Sequence, residues 1–341
     1  MQAELIYNAS AGRSDVRREI DSVLDYLERQ GWRVTVHETH APLEGIDLAR
    51  RAAAKKIDVV IAAGGDGTVN EVASGLVHTD TALGVLPVGT TNVWALQMRI
   101  PVLSPIGPGA GLARWVVNLE EQLDYTLPVN PYRSVLLDAA RILVEGKTRA
   151  VDLGLANDRH FLLWAGVGLD AAVTASVSPK DKKALGPWAF VGTALDVGRD
   201  YKSARVKLTL DGEVKEIDTS LVVASNIQLY GGLIALGARA RVDDGKVDVC
   251  VFRGEGLFNY VQHLFKVATG QHLRDPQIEY YQAREIVIES SHPLPVHVDD
   301  EPFAETPVTI RTIPCALKVI LPENVPSALF CDEKDSNGKR I

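Results

Sequence analysis

From Ala62 to Glu71 the chain reads Ala-Ala-Gly-Gly-Asp-Gly-Thr-Val-Asn-Glu, with Gly64, Gly65 and Gly67 crowded around one carboxylate. Such glycines let the backbone take conformations closed to other residues and bring bare N–H groups close to an anion. The preceding run, 57–62, is short, apolar and β-branched, and reads as a buried parallel strand. The residues after the glycines read as a helix whose positive N-terminal end points at whatever the turn holds. Thr68 is placed to cap that helix, and Glu71, three residues on, to complete a capping box. Asp66 is placed to orient a metal or a metal-bound water. The chemistry suggested is phosphate handling. The bland alternative is an ordinary glycine-rich strand-to-helix turn, but this string is far more particular than a lone Gly-x-Gly.

Two further small-residue turns share its surroundings. Asn8-Ala9-Ser10-Ala11-Gly12 follows a first strand over 3–7, and Pro87-Val88-Gly89-Thr90-Thr91-Asn92 follows a fourth over 83–86. Helical spacing of Val16, Ile20, Val23, Leu24 and Leu27 predicts a helix over 15–30, and Gly31 ends it. A strand over 32–38 alternates Trp32, Val34 and Val36 with polar residues, and a helix comes next over 46–56. Strand and helix thus alternate as βαβαβα, which implies a parallel sheet with all three turns at the carboxyl ends of its strands, where such sheets bind ligands. Residues 101–127 break the rhythm with prolines and glycines around an apolar piece, 112–123. They read as a surface excursion, with a lid or a membrane-contacting helix as the sharper alternative. A helix over 132–145 closes this half.

From Arg149 onward strand follows strand: 150–156, 160–165, 204–210, 213–224, 246–252, 285–289, 294–298, 306–310 and 316–321, interrupted by helices over 185–201 and 257–269. This pattern predicts a mostly antiparallel second domain. The division expected is 1–149 for the α/β domain, with 101–127 inserted and 326–341 returning to it, and 150–325 for the β-rich domain, with the site in the cleft between them.

The string Gly64-Gly65-Asp66-Gly67-Thr68 with Asn70-Glu71 resembles the nucleotide-binding signature of the diacylglycerol kinase catalytic domain, which sphingosine, ceramide and bacterial lipid kinases share. NAD kinases and 6-phosphofructokinases are more distant relatives. The turn at 87–92 resembles the family's Pro-x-Gly-Thr-x-Asn, and the turn at 8–12 its Asn-Pro-x-Ser-Gly, with Ala9 in place of proline. Later, Gly166-Val167-Gly168-Leu169-Asp170-Ala171, Asn226 with Gly231-Gly232, Asp243-Asp244-Gly245 and Val298-Asp299-Asp300-Glu301 are similar to further family motifs. Two departures stand out: Val93 where many relatives carry an aspartate, and Asp300 where they carry glycine. The resemblance covers roughly residues 4–322 apart from the insertion.

The resemblance implies an ATP-dependent lipid kinase using Mg²⁺, with a diacylglycerol-like or sphingoid lipid taken from a membrane surface as acceptor. Asn8, Gly64 to Thr68, Gly89 and Thr90 would contact the nucleotide phosphates, with Asn92 in the same motif, and Asn70 and Glu71 would reach ribose or adenine. Asp66 and Asp152 would hold magnesium through water, and Asp244 a structural magnesium. Asp299 would be the general base, with Glu301 its partner; read without the family, 299–301 is only an acidic hairpin turn. Lys180, Lys182, Lys183 and Trp188 offer a basic, aromatic segment for a membrane surface, or simply a solvated loop. Two other functions stay open: a soluble-metabolite kinase of the NAD kinase type, and a non-catalytic nucleotide- or lipid-binding protein that kept the fold.

Composition sets outer bounds. A 341-residue chain with 46% hydrophobic and 23% charged residues is ordinary globular material with room for two cores. Its net charge of −8 disfavours nucleic acid as a partner. No apolar run approaches the ~20 residues that cross a bilayer, and the first residues already read as a strand, so a cytoplasmic protein is expected, peripheral at the inner membrane surface when it meets a lipid. Three cysteines without metal-ligand spacing read as reduced thiols.

Overall fold

The structure, a computed structural model, describes residues 1–8, 16–89, 92–102, 133–177, 193, 196–199, 201–232 and 234–331. The expected insertion 101–127 lies almost wholly, and the expected helix 185–201 mostly, outside the described residues, and Thr90, Lys180, Lys182, Lys183 and Trp188 lie outside them too.

The first half is the expected alternation. Strand β1 (Gln2–Asn8) pairs in parallel with β2 (Arg33–Thr39) on one side and β3 (Val59–Gly64) on the other, and β3 pairs in parallel with β4 (Ala82–Pro87). All of β3 and β4 is buried, because helices cover both faces of a parallel sheet. Helices α2 (Glu44–Ala54) and α3 (Asp66–Gly75) pack together, while α1 (Val16–Arg29) packs with α5 (Arg133–Glu145). A short helix, α4 (Val93–Gln97), comes after the third turn. Val36, expected to point inward, is 44% exposed: β2 has a neighbour on one side only, and its covering helix leaves that position open.

In the second half the pairing turns antiparallel. The sheet does not break between the halves. Strand β17 (Val308–Leu321) pairs in parallel with β4 through Val319 and Leu83, and antiparallel with β5 (Lys147–Ala156). It joins the two strands expected at 306–310 and 316–321 into one, with an irregularity between Ile313 and Leu317 where Cys315 takes a positive φ of 49°. Beyond it, β8 (Ala204–Leu210), β9 (Glu213–Ser225), β12 (Val247–Arg253) and β14 (Glu285–Ser290) form antiparallel neighbours around a second apolar core that includes Leu208, Val222, Val249 and Ile286. Next to β9 lies β7 (Trp164–Gly168), then β15 (Pro295–Val298), then β16 (Glu301–Glu305) at the edge. Residues 327–331 touch both halves: Val242 N donates to Leu329 O at 2.8 Å, the Arg149 guanidinium stands 4.3 Å from the Phe330 ring centre, and Leu329 and Phe330 join the apolar core that holds the first sheet.

Candidate functional site

The turns after β3 and β4 touch. A Cβ on Gly89 would lie 2.4 Å from Gly65 Cα, so only glycine permits this approach. The contact is fixed by Val88 N and Gly89 N, which donate to Gly64 O at 3.1 and 3.2 Å. Asn92, in the left-handed region at φ 52°, closes the third turn on itself: its Nδ2 donates to Gly89 O at 2.7 Å and its Oδ1 accepts from Gly89 N at 3.2 Å. Asp66 joins the two turns. Its carboxylate accepts Val93 N at 2.9 Å and Trp94 N at 3.0 Å, capping α4 from across the gap.

The capping box expected at Thr68 and Glu71 is not what forms. Gly65, with no side chain, precedes α3 as its cap residue. Thr68 is buried with its side chain against Gly64. Glu71 reaches out of its own helix and accepts Leu43 N at 2.9 Å and Gly45 N at 3.0 Å, so it caps α2 instead. Burial holds its carboxyl above the usual range, against the pull of those two N–H groups. The helix starts at Asp66, three residues earlier than a Thr68 cap requires, which turns Glu71 toward α2. Asn70 Nδ2 donates to His160 O at 3.1 Å and thereby ties the turn to the second half, while its Oδ1 has no hydrogen-bond partner. Asn8 stands at the end of β1, half-buried, opposite Thr39.

Facing these turns is the hairpin between β15 and β16. Asp299 and Asp300 both have positive φ, 46° and 61°, which is the pattern of a two-residue type I′ turn. Asp300 occupies a left-handed position that costs an ordinary residue about 1 kcal/mol. We expect Asp300→Gly to raise unfolding stability by up to about 1 kcal/mol with activity retained, read by denaturant titration; lowered stability would show that the contacts Asp300 makes outweigh its strain.

Asp299 is buried with its carboxylate turned inward. Oδ2 accepts Leu162 N at 2.8 Å, and Oδ1 accepts Leu163 N at 2.9 Å and Trp164 N at 3.0 Å. Burial pushes its pKa up to about 7; the three N–H groups oppose that and the nearby Asp66 charge adds to it. Glu301 pairs with Arg159, and its Oε1 lies 3.5 Å from where a Cβ on Gly67 would be. The structure thus brings Asp66, Gly67, Asp299 and Glu301 together from opposite halves. It does not bring Asp152 and Asp244 to them. Asp152 accepts Gly245 N at 2.6 Å and Cys315 N at 2.7 Å, and Asp244 accepts Lys246 N at 3.0 Å within its own turn. Burial pushes Asp152 to about 6, with Asp244 and Asp243 adding to the rise.

Behind Asp299 lies a buried group to which the motifs alone assign no role. His297 Nε2 is 2.5 Å from Asp170 Oδ2, and Tyr230 donates its hydroxyl to Asp170 Oδ1. Burial opposes charge on both partners, but their mutual attraction wins, holding His297 above and Asp170 below their ordinary values. A Cβ on Gly166 would sit 2.2 Å from His297 Nε2 and 2.3 Å from Asp170 Oδ2, so the first glycine of Gly-x-Gly-x-Asp makes room for this pair. The Tyr230 ring packs 4.8 Å from that of Trp164, whose backbone N–H holds Asp299. Leu229 N donates to Gln97 Oε1 at 2.7 Å, linking the group to α4 and so to Asp66. Asn226 Nδ2 donates to both Asp152 O and Leu162 O, pinning the loop that carries the Asp299 donors. The signal available was Gly166, a glycine within a strand, which often marks a close approach.

Two family descriptions match the chain in succession. Residues 2–156 match the diacylglycerol kinase catalytic domain, and residues 164–321 match the YegS C-terminal NAD kinase beta sandwich-like domain. The chain carries a diacylglycerol kinase catalytic domain followed by a YegS-type C-terminal domain. A protein of Bacillus subtilis named diacylglycerol kinase is 26% identical over 324 residues, 94% of this chain and 97% of its own length. One from Staphylococcus aureus with the same name is 25% identical over 326 residues, 95% and 93% of the two chains. Among solved structures, that of a putative diacylglycerol kinase from Bacillus anthracis superposes with a TM-score of 0.74 at 23% identity, covering 95% of this chain and 96% of that one. At that identity the superposition speaks for the fold, and the fold it shows is the α/β half followed by an antiparallel β-rich half. The family that this catalytic domain represents is one of kinases. Among the described residues, no helix is long and apolar enough to cross a membrane.

Proposed function

We propose that this protein is an ATP-dependent lipid kinase that phosphorylates a hydroxyl of a diacylglycerol-like or sphingoid lipid, with Asp299 as general base. One observation carries the reading: the hairpin bearing Asp299 and Glu301 meets the turn bearing Asp66 and Gly67. Phosphoryl transfer needs the phosphates and the acceptor held in line with little covalent help. The backbone of the turn from Gly64 to Gly67, at the head of α3, suits the phosphates, and Gly89 keeps the third turn close against it. Asn70 Oδ1, lacking a protein donor, suits ribose or adenine. An aspartate with a pKa of about 7 is matched to taking a proton from a hydroxyl near neutral pH.

Magnesium fits the residues around Asp66. Asp66 and Asp299 offer hard oxygen donors whose mutual repulsion a cation relieves, and both already accept backbone N–H groups, which favours contact through metal-bound water. Among the described residues no three His, Cys, Asp or Glu side chains converge as a ready cage, which suits an ion held largely by nucleotide phosphates. Bound with ATP, magnesium would neutralise charge on the transferred group. Asp152 does not fit a share in that ion: its oxygens accept Gly245 N and Cys315 N, and it stands beside Asp243 and Asp244, at the turn where a separate, structural magnesium is expected on Asp244. A domain division of 1–149 and 150–325 and a cytoplasmic, membrane-peripheral location complete the reading.

The test is purified protein with labelled ATP, Mg²⁺, a panel of lipids in micelles and, separately, NAD. Label in the organic phase is the expected result. Label in NAD would make the protein a soluble-metabolite kinase. Label in neither would leave a binding protein, the outcome consistent with Val93 standing where relatives carry an aspartate.

A further inference from the structure

Helix α7 (Leu257–Ala268) turns the wrong side outward. Its inner face carries His263, buried and with Nε2 2.9 Å from Arg253 O, together with Tyr260 and buried Val267. Its outer face carries Phe258, Val261, Leu264 and Phe265, exposed by 80, 48, 47 and 62%. Their spacing of three, three and one places them in a single stripe along the helix. The other large exposed hydrophobics among the described residues, Met1, Val36, Leu43 and Val214, are scattered through the sequence. A buried histidine beneath an exposed phenylalanine is the reverse of what water alone would select.

We propose that this stripe docks on a lipid bilayer, from which the protein takes its acceptor; the inference rests on the lipid-kinase reading above. Charge favours this occupant. In a chain of net charge −8, α7 contains no carboxylate. Of the acidic residues that border it, Asp275 pairs with Lys266, Glu279 with Arg253, and Glu255 accepts Ser203 N at 3.1 Å, while Arg274 is exposed beside them. Size favours it over a second copy of the chain. Four side chains on a helix about 18 Å long present roughly 400 Å², half of the ~800 Å² per partner typical of a stable dimer. An amphipathic helix lying in the plane of the interface needs no more than such a stripe. Position favours it as well. The helix packs against β11 (Ile234–Ala235), whose hairpin partner β10 (Leu229–Tyr230) carries the tyrosine bonded to Asp170. The helix that carries the apolar face is thus linked through one hairpin to the acceptor side of the candidate site.

The test compares the wild type with the double variant Phe258→Gln/Phe265→Gln by flotation with vesicles of phosphatidylcholine, alone and mixed with phosphatidylglycerol. Both positions are exposed, so the melting temperature should be unchanged. The expected result is vesicle partition weakened at least ~10-fold in the variant, with turnover of lipid in vesicles reduced and turnover of a short-chain, water-soluble diacylglycerol preserved. Partition is read without turnover, so failure of the kinase reading, no labelled lipid from the wild type, is distinguishable from failure of the docking surface. Equal partition of variant and wild type, or a wild type that ignores both vesicles, would overturn the proposal. A change from dimer to monomer in sedimentation, with partition unchanged, would assign the stripe to a second copy instead.

Discussion

Asp299→Asn is expected to lower kcat for lipid phosphorylation at least ~10²-fold while leaving nucleotide affinity nearly unchanged. The substitution removes the proton acceptor and keeps the shape. Its effect on folding is a balance. Asparagine offers one oxygen where the aspartate offers two, so one of the N–H groups of Leu162, Leu163 and Trp164 faces an amide NH₂ instead of an acceptor, at about 1–3 kcal/mol. The same change removes a buried charge whose desolvation is the main reason for the raised pKa. These oppose each other, so Tm should move by only a few degrees, and a Tm that collapsed with activity would make Asp299 a structural hub. The pH dependence has a definite sign. A base must be ionised, so wild-type activity should climb as pH rises through about 7 and level off above it. Stability moves the other way. The folded protein holds the Asp299 proton more tightly than the unfolded chain, whose aspartate has the ordinary value of 3.8, so this group's contribution is fully present below pH ~4 and is lost as pH rises through about 7. Should Asp299→Asn keep near-normal kcat while Glu301→Gln abolishes it, the base is the other carboxylate.

The sequence foretold the elements better than the contacts between them. The βαβαβα alternation is written in local apolar periodicity, and β3 and β4 stand where their β-branched runs put them. The same local reading failed for Glu71. A glutamate three residues after a threonine has the spacing of a capping box, but whether it bends back or reaches to Leu43 and Gly45 depends on where α2 lies, and that is a tertiary fact. Asp300 shows the opposite case. The departure from the family glycine was visible, and its physical meaning is a left-handed backbone position at the second residue of a tight hairpin. The buried group of His297, Asp170 and Tyr230 could not be assembled from sequence, since its members lie 127 and 60 residues apart and meet only because β15 pairs with β7. Gly166 was the one legible trace: a glycine mid-strand often marks a close approach, here of a charged pair.

Asp66→Asn should produce the second large effect, and it joins the two halves of the site. Asp66 holds the first turn of α4 through Val93 N and Trp94 N, and its charge raises the pKa of Asp299. An asparagine can accept only one of those N–H groups and carries no charge. If Asp66 also organises magnesium-bound water, kcat should fall at least ~10²-fold, the order by which removing one transition-state charge stabiliser slows other enzymes. The residual activity then has its own signature. With the like charge gone, Asp299 ionises more readily, and the rising limb of the pH profile should shift to lower pH. The shift should be partial, because burial, which the variant leaves in place, is the larger cause. Loosening of α4 would be felt at Gln97 and Leu229, so Tm should fall modestly, by the few degrees that one lost hydrogen bond of about 1–3 kcal/mol brings. A variant with normal kcat and lowered Tm would make Asp66 only a helix cap. A variant with lowered kcat and an unmoved pH limb would separate its metal role from any contact with the Asp299 charge, and the convergence of the two hairpin carboxylates on the glycine turn would lose its electrostatic meaning.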